Sequence, residues 1–509
     1  NYTLFGMAAV VFVGCADLDY NEASNRDEDW TYNSPLNGVK ALVYDVYAQM
    51  PSEFKDNSYG NGALIASATD ESEFALSFSP IHKYFNGGWT PSNPFSTTWD
   101  RSYRAITQVH MYLERIHRID LSDYEYDPNY QTMVQQFEIF PNELRFLRAY
   151  FYFELVRAYG DVPLVTTTLT NAQANSVERT PTKDVFKFII NELDAVSEYQ
   201  PVSYNNNPGR ATRGAALALK ARVLLYQASP LFNTDNNKEL WKEAAAASKV
   251  IIDIAQHWGY KLSGYANLWG HDTFTNPEFI FVLGTQASNT FEQYNYPVGV
   301  ENGNSGNCPT QALVDAYEYQ ADGKTFKEKH PGDVDVTTEN PYDGLDPRFE
   351  LTVVKNGDLW PSNTAQQIAI ETYQSGFNGA PKYGATPTGY YLKKFVDGNC
   401  VTTANNQTTT RHNWIVMRLA EVYLNYAEAM YNYYGNADEQ GDFGMSANEA
   451  INVLRNRPDI MMPEFQGNNG FGERYMRERM VELAFEGQRF GVVRRWKQGG
   501  EFFMDVGVA

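Results

Sequence analysis

Trp89 stands in the run KYFNGGWTPSNPF (residues 83–95), directly after Gly87 and Gly88 and two residues before Pro91. A run of turn formers makes a loop, and a loop Trp reaches solvent more readily than one on a helical stripe. An indole offers a flat apolar face on which the C–H face of a sugar ring can stack, and its N–H can hydrogen-bond. Trp89 is therefore a candidate ligand platform; the competing reading is a plug that fastens the loop to the core. Asn93, in the same loop, offers an amide for sugar hydroxyls. Asp70, in SATDESEF, lies in a short acidic loop and is either a ligand contact or simply a helix cap or solvated turn. Further along, FEQYNYPVG places Tyr294 and Tyr296 two apart, which in an extended segment puts both on one side. TGYYLKK carries Tyr390 and Tyr391, of which one can face a ligand; Tyr391 is the choice. Trp99 begins a helix and is assigned to the core.

Other chemistries find little support. His110, Glu114 and His117 follow an i, i+4, i+7 spacing that could present metal ligands on one helix face, but that face borders an apolar stripe and no further ligand is suggested. No metalloprotease, P-loop, nucleophile-elbow or EF-hand pattern occurs. A glycoside hydrolase would need two carboxylates about 5–9.5 Å apart, and nothing among 62 Asp and Glu singles out a pair. Asp70 and Glu71, as neighbours in a strand, would point apart. The expectation is a non-catalytic protein without metal or cofactor. With 41 Lys and Arg against those 62 acids, the net charge is −21, which repels phosphate backbones and excludes nucleic acid as a partner. Three cysteines exclude a disulfide-stapled scaffold; Cys308 and Cys400 could pair or stay free. No apolar run is long enough to cross a membrane as a helix.

The elements that must position these residues are mostly helical. Apolar residues recur with the helical period over 100–119, 143–159, 182–199, 215–229, 239–256, 414–434, 447–455 and 473–486. Thr212 is placed to cap one of them and Pro230 to stop it. The helices come in pairs with short joints and alanine-rich faces, as in stacked tetratricopeptide-like hairpins with a period near ~34 residues. Between about 260 and 410 Gly, Asn, Pro and Thr dominate, so irregular loops and short strands are expected there, packed on the helical frame. The fold class is mainly α: a tetratricopeptide-like helical-repeat scaffold with an irregular, loop-rich ligand-binding half.

At the amino end, the apolar run 7–13 followed by Gly14 and Cys15 resembles a bacterial lipobox, in which Cys15 is acylated. No Lys or Arg precedes the run, so the expectation is a start further upstream. The expected organisation is 1–15 as a lipoprotein signal, 16–30 as an acidic tether, 31–260 as the helical-repeat half with ligand-facing loops, 261–410 as the loop-rich segment, and 411–509 as helices completing the scaffold.

Several ordered blocks resemble the SusD/RagB family of Bacteroidetes outer-membrane lipoproteins: NELRFLRAYFYFELVRAYGDVPLV (142–165), GRATRGAALALKARVLLY (209–226), then RLAEVYLNYAEA (418–429), AINVLRNR (450–457), ERMVELAFEGQRF (478–490) and RRWK (494–497), with PTQALVDAYE (309–318) a weaker match. Two features depart: the family pattern continues past RRWK, implying further chain beyond Ala509, and the family often carries Asn near the position of His110. The resemblance implies a surface lipoprotein that lids a SusC-like TonB-dependent transporter and captures oligosaccharides, or alternatively peptides, without catalysis. It also implies ligand contact by the Trp89 loop and a loop containing Asp70. The glutamates of these blocks have a structural reading. Glu421 and Glu428 lie near the core stripe and need partners, for which Arg455, Arg457 and Arg479 are candidates. Glu478, Glu482 and Glu486 recur every four residues, with Arg474, Arg489, Arg494 and Arg495 available to neutralise them.

Overall fold

The computed structural model describes residues 28–54, 62–90, 92, 97–204, 209–269, 273–300, 302–319, 340–361, 367–403 and 406–499. Cys15 and Asn93 lie outside the described residues.

The longer helices are α1 (Val39–Ala48), α2 (Thr98–Arg115), α3 (Tyr130–Tyr159), α4 (Thr182–Ser197), α5 (Arg213–Ala228), α6 (Glu239–Ile254), α7 (Leu419–Tyr434), α8 (Ala447–Arg455), α9 (Phe471–Glu482) and α10 (Arg489–Arg495). From α2 to α8 each packs on the next, although about 160 residues of chain separate α6 from α7. Small side chains permit the close approach: Ala215, Ala218 and Ala221 on α5, Ala244 and Ala245 on α6, and Ala420 and Ala427 on α7 are all buried. Local chemistry sets the ends. Thr212 Oγ1 accepts from the Ala215 N–H at 3.2 Å, and Ser446 and Glu449 form a reciprocal capping box on α8.

Among the described residues, four two-stranded antiparallel pairs furnish the irregular half: β1 (Ser72–Phe74) with β3 (Asn307–Pro309), β2 (Phe279–Gly284) with β8 (Asn413–Arg418), β4 (Val353–Val354) with β7 (Tyr391–Leu392), and β5 (Leu359–Trp360) with β6 (Ile368–Ala369). The expected helix over 414–434 is corrected here. Its first residues form β8, with Ile415 opposite Val282, and the helix begins at Leu419. A strand buried on both faces is continuously apolar and fits the helical stripe equally well over five residues.

One apolar core lies among α1–α5, around Phe146, Phe151, Leu155, Ile189 and Leu219. A second lies under the irregular half, around Leu64, Tyr265, Val282, Phe349, Leu392 and Phe485. An ion-pair network buried beside it binds the middle segment to the C-terminal helices. Arg418 Nη1 meets Glu278 and Glu482, each at 2.8 Å, and its Nε meets Glu486 at 2.7 Å. Arg348 reaches Asp346 at 2.6 Å, Glu478 at 2.7 Å and Glu482 at 2.8 Å. Arg457 joins Glu278 and Glu482, Arg455 joins Glu478 and Glu318, and Lys394 joins Glu486. Burial alone would push the Glu482 carboxyl up, but the guanidiniums of Arg457, Arg418 and Arg348 outweigh it and hold it well below the usual range.

The glutamate rows are thus structural, but most of their partners differ from those expected. Glu421 pairs with Arg222 at 2.5 Å, and Glu428 pairs with Arg495. Arg479 instead donates to Asn425 Oδ1 and the Tyr475 hydroxyl. Arg489 serves Asp70 rather than the row on α9.

Candidate functional site

A cleft of about 150 Å³ opens where the Trp89 loop, the start of α2, the end of α3, β8 and α10 converge. Tyr84 ends a short 3-10 turn, Pro80–Tyr84, which Ser79 caps by accepting from the Ile81 N–H. The chain then reverses through Gly87, whose φ of +78° a side chain would disfavour, and the Trp89 N–H returns to the Lys83 carbonyl at 3.1 Å. That reversal lays the indole edge-on against Tyr84, with centroids 4.8 Å apart. Tyr84 in turn meets Phe490 of α10 at 5.1 Å. Trp89 keeps 39% of its surface exposed. α10 can approach this closely because residue 491 is glycine: a Cβ there would stand 2.2 Å from the Tyr226 hydroxyl oxygen. Three rings thus form one wall, and polar groups line the rest, among them Arg101, Glu154, Arg157, Gln488 and Arg494. Flat apolar area with convergent donors and acceptors is what a wet sugar site needs.

Of the sequence candidates, Trp89 alone among the described ones lines this cleft. Asp70 does not stand open in a loop: it is buried and holds Arg489 through two hydrogen bonds of 2.8 and 2.6 Å. Tyr294 and Tyr296 do not share an extended segment. Tyr294 lies in the helix Thr290–Asn295, half-buried against Gly62. Tyr296 follows it, buried, its hydroxyl donating to the carbonyls of Asp397 and Cys400 at 2.6 and 2.7 Å. Tyr391 is buried in β7 and its hydroxyl donates to the Asn378 carbonyl. These two tyrosines fill a small core with Cys308 and Trp360, because an internal carbonyl satisfies each hydroxyl and leaves the ring free to pack. Cys308 and Cys400 are both buried and free. Trp99 packs against Tyr103 and Tyr159 at 4.9 and 5.3 Å. Among the described residues no three His, Cys, Asp or Glu side chains are grouped to hold a metal. His110 is buried, and desolvation with the nearby Arg148 charge lowers its pKa to about 4, while Glu114 accepts from the Thr168 N–H at 2.7 Å.

Sequence reasoning missed Tyr84, Phe490, Arg101, Arg157 and Arg494. Phe490 and Arg494 are four apart on one helix, a signal that was present but read as scaffold.

Beside Asp70, Glu71 is buried with one carboxylate oxygen lacking a partner. Burial raises its pKa to about 8, against the opposing charges of Arg489 and Lys394 and with help from the Asp70 carboxylate; the Phe485 N–H also opposes the rise. The fold therefore keeps a proton that the unfolded chain releases above about 4.5. The stability this confers is complete below that value and drains away as pH rises to about 8, at up to about 1.4 kcal/mol per pH unit. Glu71→Gln is expected to cancel this drain. Its stability relative to the parent chain, read as the free energy required to unfold it in urea titrations, rises from pH 5 to pH 8, and an unchanged difference contradicts the assignment.

Stacked helices that carry an aromatic, loop-edged cleft define a helical-repeat binding protein. A family model described as "SusD family" matches residues 277–504, and one described as "Starch-binding associating with outer membrane" matches residues 18–225. The chain belongs to the SusD/RagB family. It is similar to SusD-like protein P2 of Formosa agariphila, at 24% identity over 70% of this chain, and spans 65% of that relative's length. A SusD-like protein from Bacteroides fragilis has the same fold, with a TM-score of 0.74 at 27% identity, covering 93% of this chain and 88% of the other. A laminarin-binding SusD-like protein superposes with a TM-score of 0.65 at 22% identity, covering 95% of each chain.

Proposed function

We propose that this protein captures oligosaccharides at the bacterial surface and passes them, chemically unaltered, to a SusC-like TonB-dependent transporter. The observation that carries this reading is the ring wall Trp89–Tyr84–Phe490 open to an arginine-lined cleft. The family description as starch-binding and the laminarin-binding relative of the same fold support a glycan over a peptide. The cleft carboxylates are engaged in ways that suit binding rather than hydrolysis. Glu486 is held by Arg418 and Lys394, Glu154 by Arg157 at 2.8 Å, and Glu53 accepts from the Ile65 N–H at 2.8 Å. A glycosidase needs one carboxyl that keeps its proton as general acid. On Glu486 the charges of Arg418 and Lys394 overcome burial and hold the carboxyl below its usual range.

The test is a glycan array run beside a peptide library, with chain-length analysis of each retained glycan. Binding of a glycan that is recovered intact supports the proposal. Shortened products, or retention of peptides alone, overturn it. Anchoring through Cys15 has its own test. Cys15→Ala in the producing cell is expected to move the protein from the membrane fraction to the soluble fraction, and undiminished membrane retention contradicts the anchor.

A further inference from the structure

Three arginines of α10 have different surroundings. Arg489 is paired with Asp70 and Arg495 with Glu428, both buried. Arg494, which faces the cleft, has no carboxylate at ion-pairing distance among the described residues. It donates instead to the carbonyls of Arg157 and Ala158, at 2.7 and 3.2 Å, in the last turn of α3. The other cleft arginines with buried or nearby acids are neutralised: Arg157 by Glu154 and Arg222 by Glu421. Phe490 lies against Arg494, its ring centroid 5.9 Å from the guanidinium carbon. Burial and the neighbouring Arg157 charge both act against the Arg494 cation, yet an arginine does not give up its proton.

The cleft continues along α2 into a second hollow lined by Gln49, Met50, Asp100 and Arg104, and the two share Thr97 and Arg101. Arg104 is exposed, and among the described residues it too has no carboxylate partner. Arg494 and Arg104 thus place two guanidiniums without an acid partner along one groove of a chain that carries 62 acids against 41 bases.

We infer that the groove takes an acidic glycan, one bearing carboxylate or sulfate groups, with Arg494 as the anion contact beside the aromatic wall and Arg104 meeting a later charged residue of the same chain. This rests on the reading of the cleft as a glycan site and narrows it to a substrate class. The guanidinium fork matches a planar carboxylate or a sulfate oxygen pair, and two of its N–H groups capping α3 leave others for a ligand. The net negative charge of the body is screened beyond about 8 Å at physiological salt, so contact with the groove governs the outcome.

The test is calorimetry on the full chain with matched probes: oligogalacturonate against its carboxyl-reduced form, and a sulfated galactan oligosaccharide against its desulfated form. The expected result is that one charged probe binds about ten- to hundredfold more tightly than its neutral twin, the twin that differs identifying carboxylate or sulfate as the group read. Arg494→Gln is expected to bring that ratio close to one, Arg494→Lys to keep part of it, and Arg104→Gln to reduce it. A purely structural Arg494 lowers the melting temperature on substitution but leaves the ratio intact. If Arg494→Gln fails to fold, the parent ratio and Arg104→Gln decide. Equal binding of charged and neutral twins, still lost in Trp89→Ala, overturns this inference and leaves the glycan site standing. Absence of binding to all four probes and to neutral laminarin, or binding indifferent to Trp89→Ala, overturns the site itself.

Discussion

Trp89→Ala is expected to weaken oligosaccharide binding at least about thirtyfold while leaving the fold in place. The indole is the exposed member of the three-ring wall, and removing a central aromatic from a binding surface costs about 2 kcal/mol or more in affinity. Its structural contribution is smaller. It packs edge-on against Tyr84 without entering any of the buried apolar clusters, so its loss is worth about 0.5–1.5 kcal/mol of stability. Calorimetry and thermal unfolding on the same preparation separate the two effects. A variant that melts early yet binds normally contradicts the platform assignment and makes Trp89 the loop plug.

Arg418→Ala has the opposite signature. Arg418 is buried between Glu278, Glu482 and Glu486, and deleting it strands three carboxylates on guanidiniums and a lysine that already serve others. Breaking a buried network from one side costs about 3–5 kcal/mol, because the remaining charges lose their partner without regaining water. The surface pair Lys249–Asp253, its lysine half-buried and its aspartate exposed, is the control: Lys249→Ala should change stability by at most about 1 kcal/mol. Chemical denaturation of both variants reads the difference. Equal effects would mean that the network contributes no more than a surface pair. Because the carboxyls of Glu478, Glu482 and Glu486 are held low against burial by Arg348, Arg457 and Arg418, this stability is present above the ordinary glutamate range. It is lost as pH falls through their depressed values.

The helical frame was readable because period, caps and stops agree locally: the stripe on α4, the Thr212 cap and the stop at Pro230 each act over a few residues. β8 was not readable as a strand, since what makes it one is Phe279–Gly284, far away in the chain. The same distance hid the ion partners. Glu278 and Arg418 are 140 residues apart, and a row of glutamates carries no mark of which arginine reaches it. In the site, the Gly-Gly and Pro flanks of Trp89 marked a loop, and the loop does present the ring. Tyr296 and Tyr391 stand in equally irregular sequence, but internal carbonyls take their hydroxyls. Composition cannot tell a tyrosine that offers its face to ligand from one that spends its hydroxyl inside. Phe490 and Arg494 were hidden for the converse reason, lying in a block whose neighbours Arg489 and Arg495 are scaffold.

Exposed rings also occur away from the cleft, Phe78, Phe377 and Tyr383 among them, so where a sugar lodges on this surface is decisive. The most direct measurement is a crystal structure of the full chain with the tightest oligosaccharide from the array. A sugar ring stacked on Trp89, with its polar groups turned toward Arg157 and Arg494, is the expected result. A sugar seated on Phe377 and Tyr383 with the cleft holding only water contradicts the account.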